Sequence, residues 1–164
     1  QTYQSLDGQP LNEVFLHTPS GLDADEFNGF VDACPKGVSV VGVRVRRERK
    51  EARLFRDGKM PVLRGTFWRV SERLGYLWAS GYKHRIGTYD GWSVPLPLRI
   101  EVQRGTASID SVCRDILSLT KLNYNACRLG DSEPVTIGFS RAVGEILVSN
   151  PGVKTRQPKF KFYI

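Results

Sequence analysis

Cysteine is scarce in this 164-residue chain, with three copies at Cys34, Cys113 and Cys127, and histidine is scarcer, with only His17 and His84. An odd number of thiols at unrelated spacings is not a disulfide framework, and two histidines so placed give no workable Cys/His zinc site. Cys34 and Cys113 fall on the apolar faces of segments expected to be helical, so the thiols read as reduced and the compartment as cytoplasmic. No apolar run reaches the roughly 18 residues of a membrane span, and no signal peptide opens the chain. Acid is also in short supply. Seventeen Asp and Glu face 24 Lys and Arg, a net charge of +7, and no acidic residue follows Glu145. That surplus favours a polyanionic partner, although many soluble proteins are basic for no specific reason. The length suits one domain with a proper core. The chain opens on Gln1, and residues 1–12 are polar and aperiodic, so they read as a linker at the start of a fragment of something longer.

From Glu13 onward the chain is patterned. EVFLH (13–17) suits a strand, and Thr18-Pro19-Ser20-Gly21 breaks it. Asp23 is placed to cap a helix, with Glu26 at the capping-box position and Phe27, Phe30, Val31 and Cys34 at helical spacing before Pro35. GVSVVGVRVRR (37–47) begins apolar on both faces and ends by alternating Val43 and Val45 with Arg44 and Arg46. A central strand covered by helices on both faces needs such a run. From Arg44 to Lys59 there are eight basic residues against three acidic, read as a basic strand leading into a hairpin. ARLF, PVLRGTFWRVS, GYLWASGY and PLPLRIEVQ follow as β-rich pieces, with Asp57-Gly58 a turn pair between two of them. The expected fold class is α/β: a βα β start, three or four antiparallel strands, then two helices on a mixed sheet.

Those two helices frame a polar loop. In the first, Ser108 is placed as N-cap and Ile109, Val112, Cys113, Ile116 and Leu119 form one stripe; in the second, Phe139, Ala142, Val143, Ile146 and Leu147 form another. The loop Lys121-Leu-Asn-Tyr-Asn-Ala-Cys-Arg128 lies between them. Two readings fit its residues. Lys121 and Arg128 are either solvated helix ends, with Asn123 and Asn125 capping a C-terminus, or all four contact phosphate oxygens without reading base sequence.

Taken in order, LRGT (63–66), LWASGYKHRIGTYDGWSVPLPLRIEV (77–102), ILSLTKLNYNACR (116–128) and EPVTIGFSRAVGEIL (133–147) resemble the second half of the PIWI domain of a prokaryotic Argonaute, an RNase H-like fold. The likeness runs over residues 13–164. It implies a protein that binds a guide strand and pairs it with a target nucleic acid. It also implies an N-terminal remainder containing the MID domain and the first half of PIWI. The loop would face the guide backbone near its 5′ end, through Lys121, Asn123, Asn125 and Arg128. The C-terminal carboxylate, here on Ile164, would help ligate Mg²⁺ beside the guide 5′ phosphate, which is ordinary hard-cation chemistry. Arg64 of LRGT, with Arg44 and Arg46, would contact the nucleic acid.

The resemblance also bears on catalysis. Cutting members hold two metal ions on a cluster of carboxylates, sometimes with a His as its last member. Two of that cluster should fall in this chain: one just after the first strand, where Thr18-Pro19 stands, and one on the last helix, where Arg141 stands. Both departures argue for a member that does not cut. The other readings are an active guide-directed, divalent-metal-dependent endonuclease and a stand-alone basic module for single strands. The basic run from Arg44 to Arg56 lines a duplex channel or is a solvated hairpin. Trp68, Trp78 and Trp92 belong in the core or stack on bases, with core the better reading in alternating strands.

Overall fold

A computed structural model describes residues 10–89, 91, 93–122, 130–149 and 152. The elements run β1 (Glu13–Thr18), α1 (Ala24–Ala33), β2 (Ser39–Arg47), β3 (Thr66–Arg69), β4 (Leu74–Trp78), a 3₁₀ turn (His84–Ile86), β5 (Leu98–Arg104), α2 (Ile109–Leu119) and α3 (Val135–Ser149). One five-stranded sheet has the order β1-β2-β5-β4-β3. β1 and β2 are parallel because α1 carries the chain back between them, and every other neighbouring pair is antiparallel. The expected α/β class, with a mixed sheet and attached helices, is the one found.

Local chemistry accounts for the ends of the elements. The Asp23 carboxylate accepts the Glu26 amide at 2.8 Å, the capping geometry expected at the start of α1. Ser108 takes the N-cap position of α2, but its hydroxyl makes no capping hydrogen bond. Gly81 sits where two chain segments cross: a Cβ there would collide with the backbone of Val62, Leu63 and Arg64, so only glycine fits.

The core lies on one face of the sheet. Val41, Val43 and Val45 of β2, Leu77 of β4, and Leu98, Ile100 and Val102 of β5 pack under Ile109, Val112, Cys113 and Ile116 of α2, with Ile137 of α3 joining them. Removing each such side chain from water contributes about 1.5–3 kcal/mol. Burial also pushes the Cys113 thiol up to about 12, so it stays protonated.

The helical cover expected on both faces of β2 is a packed core on one face only. On the other, Arg44 and Arg46 replace apolar residues, and such a face needs ionic partners rather than a helix stripe. The irregular segment 48–62 supplies cover there, with Ala52 and Val62 buried beside Tyr76 and Trp78. α1 touches β2 but buries no residue of its own; Phe30 and Val31 are exposed.

Two further expectations are corrected. ARLF is not a strand, and the basic run is a strand followed by an irregular segment rather than a hairpin. The Arg53 guanidinium donates to the Ala52 and Arg49 carbonyls at 3.1 and 2.6 Å, engaging acceptors that a ladder would use. Asp57-Gly58 lies in a bend, with Gly58 at φ 91°. The stripe expected on α3, Phe139, Ala142, Val143, Ile146 and Leu147, is only half-buried, and the buried residue of the helix is Ile137, outside that stripe. No helix among the described residues is long and apolar enough to cross a membrane.

Candidate nucleic-acid interface

Three elements converge at one end of the sheet. β1 ends at Thr18 and leads into Pro19, β2 ends at Arg47 and leads into Arg49, and α3 begins beside them. His17 Nδ1 lies 2.9 Å from the Thr136 hydroxyl and ties the first strand to the last helix; burial holds its imidazole below the ordinary histidine value. The cleft so formed, about 280 Å³, is lined by Pro19, Arg46, Arg47, Arg49, Glu133 and Arg141 among others. The fold thus brings together Pro19 and Arg141, the two positions singled out for catalysis, although 122 residues separate them in sequence (141 − 19).

Arginine dominates the charge in this cleft. Arg141 grips the Glu133 carboxylate with both arms of its guanidinium, Nη1 to Oε1 at 2.9 Å and Nη2 to Oε2 at 2.8 Å. That hydrogen bond is the main reason the Glu133 carboxyl lies below the usual carboxylate range; Arg47 lowers it further, against the cost of burial. Arg47 itself donates to the Ser132 hydroxyl at 2.5 Å. Among the described residues no cluster of three or more His, Cys, Asp or Glu could hold a metal ion.

Arg46 and Arg99 stand opposite each other on β2 and β5, a repulsive register. Glu51 resolves it by reaching between them, 3.9 Å from Arg46 and 2.5 Å from Arg99, while the Tyr76 hydroxyl donates to the same carboxylate at 2.9 Å. Glu48 anchors the turn that presents Glu51. Only 5% exposed, it accepts the amides of Arg49 and Lys50 at 2.8 Å and of Glu51 at 3.2 Å, and lies 3.7 Å from Arg46. These amides, that of Lys50 most of all, hold its carboxyl below the usual range. Arg44 lies on the same face of β2, opposite Glu101, and its buried Nε has no hydrogen-bond partner among the described residues.

Arg64 serves the far side. Its guanidinium donates to the Thr120 hydroxyl at 2.6 Å and lies 3.5 Å from the Asp131 carbonyl, so it fastens the two ends of the loop that follows α2. Gly130, at φ 84°, leaves it room, because a Cβ would run into the guanidinium. Lys121 is exposed at the start of that loop. Asn123, Asn125, Arg128 and Ile164 lie outside the described residues, as does Trp92. Trp78 is fully buried, as expected of the core, whereas Trp68 is half exposed against Tyr76, with ring centroids 5.6 Å apart.

Comparison with known proteins gives one kind of match. No protein-family model matches the chain, and neither does any curated protein. Among solved structures, the Clostridium butyricum Argonaute bound to a guide DNA and a 19-mer target DNA superposes with a TM-score of 0.66 at 18% identity, over 89% of this chain and 19% of that one. An Aquifex Argonaute, Aa-Ago with externally bound siRNA, gives 0.62 at 22% identity, over 90% of this chain and 20% of that one. The chain has the fold of part of an Argonaute. It spans about a fifth of the length of these Argonautes, and at such identities the likeness establishes the fold alone.

Sequence reasoning found Arg141 and the Thr18-Pro19 break, but missed Glu133, Glu48 and Glu51 as the partners that organise the arginines. Glu133 stands eight residues from Arg141 but precedes α3, so the helix pattern does not place it beside that arginine.

Proposed function

We propose that this chain is the second half of a PIWI domain in an Argonaute-like protein, where it helps hold a guide strand and its paired target without cutting. The observation that carries the non-cutting reading is the cleft itself: Pro19 and Arg141 line it together, Arg141 is locked on Glu133, and arginines outnumber the single carboxylate. A metal centre of the two-ion kind needs several carboxylates at that point, and a guanidinium there repels a cation.

In this reading Lys121, Asn123, Asn125 and Arg128 meet the guide backbone, with Arg64 positioning their loop by holding Thr120 and Asp131. The carboxylate of Ile164 would help ligate Mg²⁺ near the guide 5′ phosphate, as a hard oxygen donor to a hard cation. Arg44 and Arg46 lie beneath the path of the duplex, and the partners are guide and target strands together with the MID domain and first half of PIWI. Phosphate contacts of this kind do not distinguish RNA from DNA.

A cleavage assay tests the reading. The full-length protein, loaded with guide and mixed with a complementary target in Mg²⁺ or Mn²⁺, captures the target and leaves it intact. Metal-dependent cutting at a fixed guide position would overturn it.

A further inference from the structure

The arginine-lined cleft has more positive charge than its own carboxylate neutralises. Arg46 is turned toward Glu48 and Glu51, and Arg141 is held by Glu133. Arg47 has only the neutral Ser132 hydroxyl as a hydrogen-bond partner, and the Arg49 side chain has no hydrogen bond or ion pair among the described residues. Two guanidinium groups therefore line one concavity without a salt bridge among the described residues, Arg47 sharing with Arg141 the field of the single Glu133 carboxylate. A guanidinium offers paired N–H donors that match the oxygens of a phosphodiester.

We propose that this cleft holds one backbone phosphate of the bound duplex directly on Arg47 and Arg49, with no metal ion. This deepens the Argonaute reading given above and rests on it for the source of the phosphate. Glu133 acts as a positioning residue: it keeps the Arg141 fork turned to itself, so that Arg141 closes one wall of the cleft. At about 280 Å³ the cleft has room for a phosphate and its bridging waters. The loss of carboxylates at Pro19 and Arg141 then leaves a binding site in place: an anion on arginines where a cutting relative would set cations on carboxylates.

The test uses the full-length protein and, as probe, a preformed blunt duplex without 5′ phosphates, so that no guide pocket contributes. Affinity is measured against NaCl concentration for the wild type, Arg49→Gln and the Arg47→Gln/Arg49→Gln pair, in EDTA and in Mg²⁺ at matched ionic strength. The double variant is expected to bind about tenfold more weakly and to lose about one unit from the slope of log K against log salt. The Arg49 side chain is exposed and makes no hydrogen bond or ion pair among the described residues, so its replacement leaves folding intact and reads the cleft alone. EDTA and Mg²⁺ give the same affinity. Unchanged affinity and slope in both variants, or binding that strengthens on adding Mg²⁺, overturns the proposal. Guide-dependent capture of a target by the wild type is scored separately. Its absence removes the Argonaute reading, whereas capture with unaltered variants removes only the phosphate site.

Discussion

The two faces of β2 are built from the same nine residues by opposite chemistry. One face carries Val41, Val43 and Val45, each no more than 1% exposed, under α2 and beside Ile100. The other carries Arg44 and Arg46, with Glu48 and Glu51 from the next segment folded over Arg46. The first face is held by area removed from water, and its valines carry no charge to titrate or to be screened. The second is held by hydrogen-bonded charges, whose desolvation cancels much of their attraction, so it contributes little net stability and much directional order. A single strand thus anchors the fold on one side and aims arginines at a cleft on the other.

Breaking the apolar face should have the largest effect. Ile116→Ala removes a fully buried side chain at the centre of the core and should cost about 2–5 kcal/mol. Urea unfolding would show this as a lowered midpoint with an unchanged slope. Loss under 1 kcal/mol would mean that α2 is not the main cover of β2.

On the charged face, Glu48→Gln should cost about 1–3 kcal/mol, since a neutral amide oxygen is a weaker acceptor for three amides and no partner for Arg46. Its pH signature separates it from a packing defect. The folded-state carboxyl lies below its ordinary value, so the contribution is complete above the unfolded pKa of about 4.3 and fades as pH falls through the lower folded value. Wild type should therefore lose part of its lead over Glu48→Gln as unfolding is repeated from neutral pH down into that range. A constant gap would show that the carboxylate's charge is not what holds the turn.

The same contrast explains what could be read from the chain in advance. The apolar face was legible, because VSVVGVRV and the α2 stripe carry their periodicity in local order. So were the Asp23 cap and the change of direction at Asp57-Gly58, which depend on residues within a few positions of each other. The charged face was not. Nothing in Arg44 to Lys59 says that Glu48 collects three amides or that Glu51 settles between Arg46 and Arg99, since those contacts form only once β5 lies beside β2. ARLF has the composition of a strand, yet Arg53 draws on nearby carbonyls and the segment becomes a cover instead. At the cleft, Arg141 and Thr18-Pro19 were recognised through a family likeness. Their meeting, and the Glu133 grip, come from the fold.

The smallest expected effect concerns that grip, and it has a sign that sharpens the comparison. The Arg141–Glu133 pair is bidentate, but Arg141 is 57% exposed, so water screens it heavily. A double-mutant cycle with Arg141→Gln and Glu133→Gln should give a coupling of about 0.2–1 kcal/mol in unfolding, well below the core substitution. The Glu133 carboxyl is held low by Arg141, so this coupling should be complete above the ordinary carboxylate pKa and vanish as pH falls through the folded value. Duplex affinity should move the other way. Glu133→Gln takes away the one carboxylate lining the cleft and frees the Arg141 fork, so the full-length protein should bind a duplex several-fold more tightly while folding slightly less stably. Equal or weaker binding would mean that Glu133 is itself needed to present the arginines, and that order on the charged face matters more than its net charge.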